Sequence, residues 1–202
     1  MDSTTGSTRR GARFDAFPDE AFALVLVEGV SDKVALEALA ARRGRDLHAD
    51  GVAIVAIGGA QALGNALREI LARNRDVRLA GLCDASEEPG FRRALERAGL
   101  GSDLTRETME ELGFYVCDPD LEGELIRALG AAGVEAVLER NGNLTSFRTF
   151  QKQPQWQRRP TEAQLRRFFG SSAGKIRYAR PLVEALELTN VPRPLDRVLA
   201  HV

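Results

Sequence analysis

The sequence predicts an α/β protein: a mostly parallel four-stranded sheet flanked by helices, with a C-terminal helical extension. Three observations carry that expectation. Short apolar runs alternate with helical periodicities through the first 120 or so residues, which is the pattern of right-handed crossovers on a parallel sheet. Three of those runs lead straight into carboxylates, and the other closes on Gly58-Gly59. From about Leu125 the alternation stops and one helical pattern follows another.

The first run, Phe22 to Val27, is apolar throughout and rich in Val and Leu, as a strand covered on both faces requires. Glu28 follows it and Gly29 breaks it, so Ser31 is placed to cap a helix over Asp32 to Arg43. Gly51 to Ile57 reads as the second strand, closed by the glycine pair, and Ala60 to Arg73 as a helix burying Leu63, Leu67, Ile70 and Leu71. Val77 to Cys83 is the third strand and ends in Asp84. Phe91 to Ala98 is a helix, and Leu112 to Cys117 a fourth strand running into Asp118-Pro119-Asp120-Leu121-Glu122. Helices follow over Leu125 to Leu129, Val134 to Arg140, Leu144 to Lys152, Thr161 to Phe169 and Ser172 to Leu186, with a short last one at Leu195 to Val202. The organisation expected is a flexible leader over 1–17, an α/β domain over 18–130 and a basic helical extension over 131–202 packed on it.

With 202 residues, 44% of them hydrophobic and 28% charged, the chain is long enough to bury a sizeable core. No apolar run approaches the roughly 20 residues that cross a bilayer, and Met1 to Arg13 has no signal-peptide core, so a cytoplasmic protein without membrane contact is expected. Cys83 and Cys117 each end an apolar run and suit buried thiols better than a disulfide; His48 and His201 show no zinc-ligand spacing.

The net charge of −1 is unevenly distributed. Residues 1–142 carry 17 Lys and Arg against 25 Asp and Glu, whereas residues 143–202 carry 11 against 4. Acidic surface that gathers divalent cations beside basic surface that gathers phosphate suits a nucleic-acid-processing site. Carboxylates at strand ends are suitable ligands for Mg²⁺ or Mn²⁺, and Glu28, Asp32, Asp84, Asp120 and Glu122, if they converge, are enough for two ions acting on a phosphodiester. Between Phe147 and Phe169, Arg148, Lys152, Arg158, Arg159, Arg166 and Arg167 interleave with aromatics, of which Trp156 is the candidate for stacking on a base. Phe147, Phe150, Phe168 and Phe169 suit core packing. The other reading of the arginines is a solvated helix face, or contacts to the acidic part of the same chain.

The string Val27-Glu28-Gly29-Val30-Ser31-Asp32, the glycine turn after the next strand and Cys83-Asp84-Ala85-Ser86 together resemble the Toprim domain. The Glu-x-x-x-Asp spacing and the Asp120-Leu121-Glu122 segment resemble more closely the Toprim nuclease domain of the OLD (overcoming lysogenization defect) family. That resemblance implies a Rossmann-like sheet and a metal-dependent endonuclease that nicks or cuts DNA, or RNA. It implies one ion held by Glu28, Asp32 and Asp84, and a second by Asp84 with Asp120 and Glu122. Gly174-Lys175-Ile176-Arg177-Tyr178-Ala179 resembles the segment that bears the family's lysine, so Lys175 would stabilise charge on the phosphate, and Glu28 could also move a proton.

Two departures stand out. Where the family has a second acid two positions after the third-strand aspartate, this chain has Ser86, a weak ligand directly or through water, with Glu87 and Glu88 as substitutes. OLD proteins also carry an N-terminal ATPase, and no phosphate-binding loop precedes this domain; Gly58-Gly59-Ala60-Gln61-Ala62-Leu63-Gly64 lacks the lysine and reads as a tight turn, so no nucleotide cofactor is expected on this chain. Those departures keep open an alternative: a catalytically weak nucleic-acid-binding module acting with a separately encoded ATPase or helicase. Phosphotransfer or hydrolysis on a small nucleotide is a third.

Overall fold

The computed structural model describes residues 21–73 and 76–202; the leader expected over 1–17 lies outside them. Four strands, β1 (Ala23–Val27), β2 (Val52–Ala56), β3 (Arg78–Asp84) and β4 (Phe114–Cys117), form one sheet in the order β2-β1-β3-β4 with every pairing parallel. Between them run α1 (Val30–Arg42), α2 (Leu63–Arg73), α3 (Glu88–Arg97) and α4 (Arg106–Glu111). After the sheet come α5 (Leu121–Arg140), α6 (Leu144–Gln151), α7 (Thr161–Phe169), α8 (Ser172–Ala185) and α9 (Arg193–His201). No helix among the described residues is long and apolar enough to cross a membrane.

The central strand β1 is buried along its whole length, and its side chains alternate between two cores as the two-residue period demands. Ala23, Val25 and Val27 join α1 and the C-terminal helices, whereas Leu24 and Leu26 join α2 and α3. Each such Val or Leu contributes about 1.5–3 kcal/mol when fully buried. The strand begins one residue later than the apolar run suggests: Phe22 is 60% exposed and lies under the Arg78 guanidinium. Cys83 and Cys117 are buried free thiols.

Gly81 shows why β3 and β4 can approach so closely. A Cβ built there would lie 2.5 Å from the Phe114 ring and 2.9 Å from the Leu26 carbonyl oxygen, and neither can move without disturbing the sheet. Gly81→Ala should therefore lower the urea midpoint, at a cost of about 1–3 kcal/mol.

The C-terminal helices are fastened to the sheet layer through α1. The Arg42 guanidinium donates to the carbonyls of Val183 (2.8 Å) and Leu186 (2.6 Å), closing the end of α8, and Arg45 donates to Leu199 (2.6 Å) and Val202 (3.1 Å). Orphan carbonyls at helix C-termini are thus satisfied by cations at and just after the end of α1, distant in sequence. This brings α8, which bears Lys175, across the same end of the sheet as the acids.

Candidate metal and nucleic-acid site

The strand register sets the carboxyl ends of β1 and β2 level, with Val27 opposite both Ala56 and Leu82, and β3 runs two residues further to Asp84, which is level with the end of β4 at Cys117. The turns that follow then meet. The N–H groups of Gly58 and Gly59 both donate to the Glu28 carbonyl, at 3.1 and 3.0 Å. These glycines have φ of +80° and +111°, values that L side chains rarely adopt, so the pair forms the tight turn expected and fixes the backbone of Glu28. The Glu28 carboxylate accepts the Asp84 N–H at 2.8 Å, which ties the first and third strand ends together.

Asp32 enters by a different route from the one the sequence suggests. The cap of α1 is Gly29, not Ser31; Ser31 lies inside the first turn and is buried. The Asp32 carboxylate reaches back to accept the Gly29 N–H at 2.9 Å, so one side chain both closes the helix and faces the other acids. Asp84 accepts the Leu121 N–H at 3.3 Å, and Asp120 caps α5 by accepting the Gly123 N–H at 2.8 Å. The helix therefore starts at Leu121, four residues before the expected position, with Glu122 in its first turn. Its φ of +66° at Gly130 breaks the regular geometry where the sequence suggested two helices.

Burial and mutual repulsion act on these acids together. Asp84 is pushed up to about 7, first by burial and then by Glu28 and Asp32; Asp32 is pushed up to about 6 by burial, with Glu122 adding repulsion. Burial also raises Glu28, against the opposing Asp84 N–H bond, with Asp32 and Glu87 adding to the rise. Acids drawn out of water and close to one another, whose proton affinity rises first by burial and then by repulsion, make a site that favours a cation.

Two cations of the chain already stand there. The Lys175 ammonium is 2.7 Å from Glu122 Oε2; that buried oxygen accepts no hydrogen bond in good alignment, so the contact is an ion pair first. Burial alone would lower the Lys175 pKa, but Glu122, Asp84 and Asp120 together raise it. Arg166 donates to Asp120 at 2.7 Å. Among the described residues no three Asp, Glu, His or Cys side chains are drawn close enough to hold one ion between them. The oxygen donor set suits Mg²⁺ or Mn²⁺ in kind.

The other expected residues separate into groups. Trp156, Arg159, Arg166, Arg167 and Lys175 line a cleft of about 580 Å³ whose wall includes Asp120 and Glu122. Trp156 is half-buried and packs on Phe150 with ring centroids 5.3 Å apart. Phe147 and Phe169 are fully buried, and Phe168 packs edge-on against Phe147, in keeping with core roles. Arg148 is engaged by Glu135 (2.8 and 2.6 Å) and Gln151 (2.9 Å). Lys152 and Arg158 are exposed outside the cleft lining. Ser86 is exposed and lines a groove between α2 and α3; Glu87 shares that groove and lies within the field of Glu28. Glu88 is held by Arg106 at 3.0 Å.

One supporting group is not evident from the sequence. Glu124 is buried, accepts the Asp118 N–H at 3.0 Å and pairs with Arg127 at 2.7 Å, while Arg127 also donates to the Asp118 carbonyl. This clamp sets the turn that presents Asp120 and Glu122. Its only sequence signal is the three-residue spacing of Glu124 and Arg127 on a helix.

Residues 21–85 match the family model for the overcoming lysogenization defect protein-like TOPRIM domain, a span from just before β1 to just past β3. Among solved structures, the chain is similar to the C-terminal region of the Xanthomonas campestris pv. campestris OLD protein, with 20% identity, 90% of this chain and 93% of that one covered, and a TM-score of 0.64. It is also similar to the C-terminal region of the Burkholderia pseudomallei OLD protein, with 18% identity, 89% and 96% covered, and a TM-score of 0.63. A comparison with curated proteins gives no match. The fold is thus Toprim-like α/β with C-terminal helices, as the resemblance implied.

Proposed function

We propose, from an OLD-like Toprim domain over residues 21–85 carried on the fold of OLD C-terminal regions, that this protein is a metal-dependent nuclease acting on DNA or RNA. The observation that carries the reading is the group of Glu28, Asp32 and Asp84, brought to one end of the sheet from two chain segments and tied there by the Asp84 N–H on Glu28, with burial and mutual repulsion raising all three. Toprim domains are generally associated with metal-dependent nucleases and primases, and Mg²⁺ or Mn²⁺ is their usual ion. Glu28, Asp32 and Asp84, once drawn closer together than they stand in the free protein, would hold one ion, and Asp84 with Asp120 and Glu122, released from Arg166 and Lys175, a second. Bound there, such ions supply a nucleophile at neutral pH and stabilise charge on the leaving oxygen.

The chain's own groups have distinct tasks in this reading. The Asp84 N–H holds the Glu28 carboxylate in place, which leaves its other oxygen for a ligand or a proton. Lys175 neutralises Glu122 in the free protein and lines the cleft through which a phosphate would approach, so it is placed to stabilise charge on that phosphate. Arg159, Arg166 and Arg167 add a sequence-independent attraction for the backbone.

The engagement of Asp120 by Arg166 and of Glu122 by Lys175 also favours a second reading: a weakly catalytic nucleic-acid-binding module whose second ion site opens only with a separately encoded ATPase or helicase. Nicking of supercoiled plasmid by the purified protein at low salt separates the two. Linearised or open-circular product with Mg²⁺ or Mn²⁺, and none with EDTA, is expected of the nuclease. Intact plasmid with either ion supports the module.

A further inference from the structure

A cavity of about 710 Å³ lies on the face of the sheet opposite the basic C-terminal helices, in the groove between α2 and α3. Its floor is narrow because α2 carries Gly64 there, whose added Cβ would come within 3.9 Å of the Ala94 Cβ. Three arginines stand in its walls. Arg68 stands on α2, one turn beyond Gly64, and Arg93 and Arg97 stand one turn apart on the same side of α3. All three are exposed, and none forms an ion pair among the described residues; Arg68 is steadied by Asn65 at 3.1 Å. Arginines used only for solubility or helix stability would be expected to pair along their helices, as Arg73 does with Glu69.

The groove begins at the carboxylate site. The Glu87 N–H donates to the Asp84 carbonyl at 2.9 Å, and Glu87 and Ser86 line the end of the groove directly after β3. On the C-terminal helices Arg148 and Arg166 are already neutralised by Glu135 and Asp120, which leaves Arg159 and Arg167 as the cleft's guanidinium groups comparable to those of the groove. A guanidinium without a carboxylate partner is the one still free to take up a phosphate oxygen.

We propose that the α2–α3 groove is a backbone-binding track, in which Arg68, Arg93 and Arg97 bind successive phosphates of a DNA strand leading to or from the acids at the end of β3. The choice of DNA rests on the nucleic-acid reading above; the binding does not require cleavage. Such contacts are sequence-independent and release counterions, so they leave a signature in salt dependence.

The test is fluorescence anisotropy of a labelled DNA oligonucleotide in EDTA, titrated with the full chain at several salt concentrations. Wild type is compared with the triple variant R68A/R93A/R97A, its charge-retaining counterpart R68K/R93K/R97K, and a control that removes the same charge from the opposite face, R140A/R180A/R197A. The proposal predicts that the first variant binds at least about tenfold more weakly and loses about 2 to 3 from the slope of log K against log salt. The lysine variant should keep most of both, the control should keep the slope, and all four should share one thermal midpoint. Unchanged affinity and slope in R68A/R93A/R97A, or an equal loss in the control, would overturn the track. Wild type that binds no DNA would do the same. Failure here with intact plasmid nicking leaves the nuclease standing, whereas binding through the groove without nicking removes only the nuclease.

Discussion

Asp84→Asn is expected to stabilise the metal-free protein at pH 8 while abolishing metal-dependent cleavage. The two effects have one cause. Burial and the neighbouring Glu28 and Asp32 raise Asp84 to about 7 in the folded protein from its ordinary value of 3.8. A group whose folded pKa is raised contributes stability that is fully present below the unfolded value and is lost as pH rises through the folded one. Asp32, raised to about 6, and Glu28, also raised, act in the same direction. The metal-free protein should therefore lose stability from this site between about pH 4 and pH 7. Asparagine removes the charge and keeps an oxygen to accept the Leu121 N–H. After discounting for partial exposure to solvent, the gain at pH 8 is on the order of 1–2 kcal/mol, and the site's pH dependence should flatten. Thermal unfolding across pH 4–8 in EDTA checks this. Cleavage should fall by more than the roughly 10–100-fold typical of losing an outer partner of a metal ligand, because the proposed centre loses a direct ligand. A variant that is both less stable and equally active would contradict the account.

Lys175→Met should do the opposite to stability. Glu122 Oε2 is buried and has the Lys175 ammonium at 2.7 Å. Removing one member of such a pair leaves an uncompensated carboxylate, at a cost of about 3–5 kcal/mol for a fully buried pair. The lysine side chain is 32% exposed, so the lower part of that range or somewhat less is expected. Adding Glu122→Gln should restore most of the loss, because the double variant has no stranded charge. Cleavage should remain lost in both, since the double variant lacks the cation over the cleft as well as a ligand. Loss of activity in Lys175→Met at a temperature where that variant is still folded is what separates a group that acts on the phosphate from one that only supports the fold. Full activity in Lys175→Met would assign the lysine to the fold alone.

How much of this was legible in the sequence depended on whether the signal was local. Glu28 and Asp84 were visible because each ends an uninterrupted apolar run, and a parallel sheet sets such ends level. The Gly58-Gly59 turn was visible, but not its role of holding the Glu28 carbonyl, which joins two strands that the sequence cannot align. The start of α1 was misplaced because Asp32 captures the Gly29 N–H and makes a separate Ser31 cap unnecessary. The start of α5 was read late because a dense acidic run looks like a loop until Asp120 is seen capping it. Helix α4 leaves little trace in the sequence, since it buries little beyond Met109 and is defined by the Thr105 and Thr108 caps.

The basic segment shows the limit most plainly. Arginine interleaved with aromatics suggested a phosphate surface, yet Arg148 pairs with Glu135 across a helix junction and Arg166 with Asp120, 46 residues away. Conversely, Arg68, Arg93 and Arg97 look like scattered surface residues in the chain, and only the packing of α2 on α3 lines them along one groove. Local pattern found the acids; tertiary pairing decides which cations are left free to meet a phosphate.

The measurement that bears most directly on the central claim is a calorimetric titration of Mn²⁺ into the metal-free protein at pH 8, with Asp84→Asn alongside. Binding by wild type, with the heat lost or strongly reduced in the variant, is the predicted result. No binding by wild type, or equal binding by both proteins, would contradict a metal centre built on the ends of these strands.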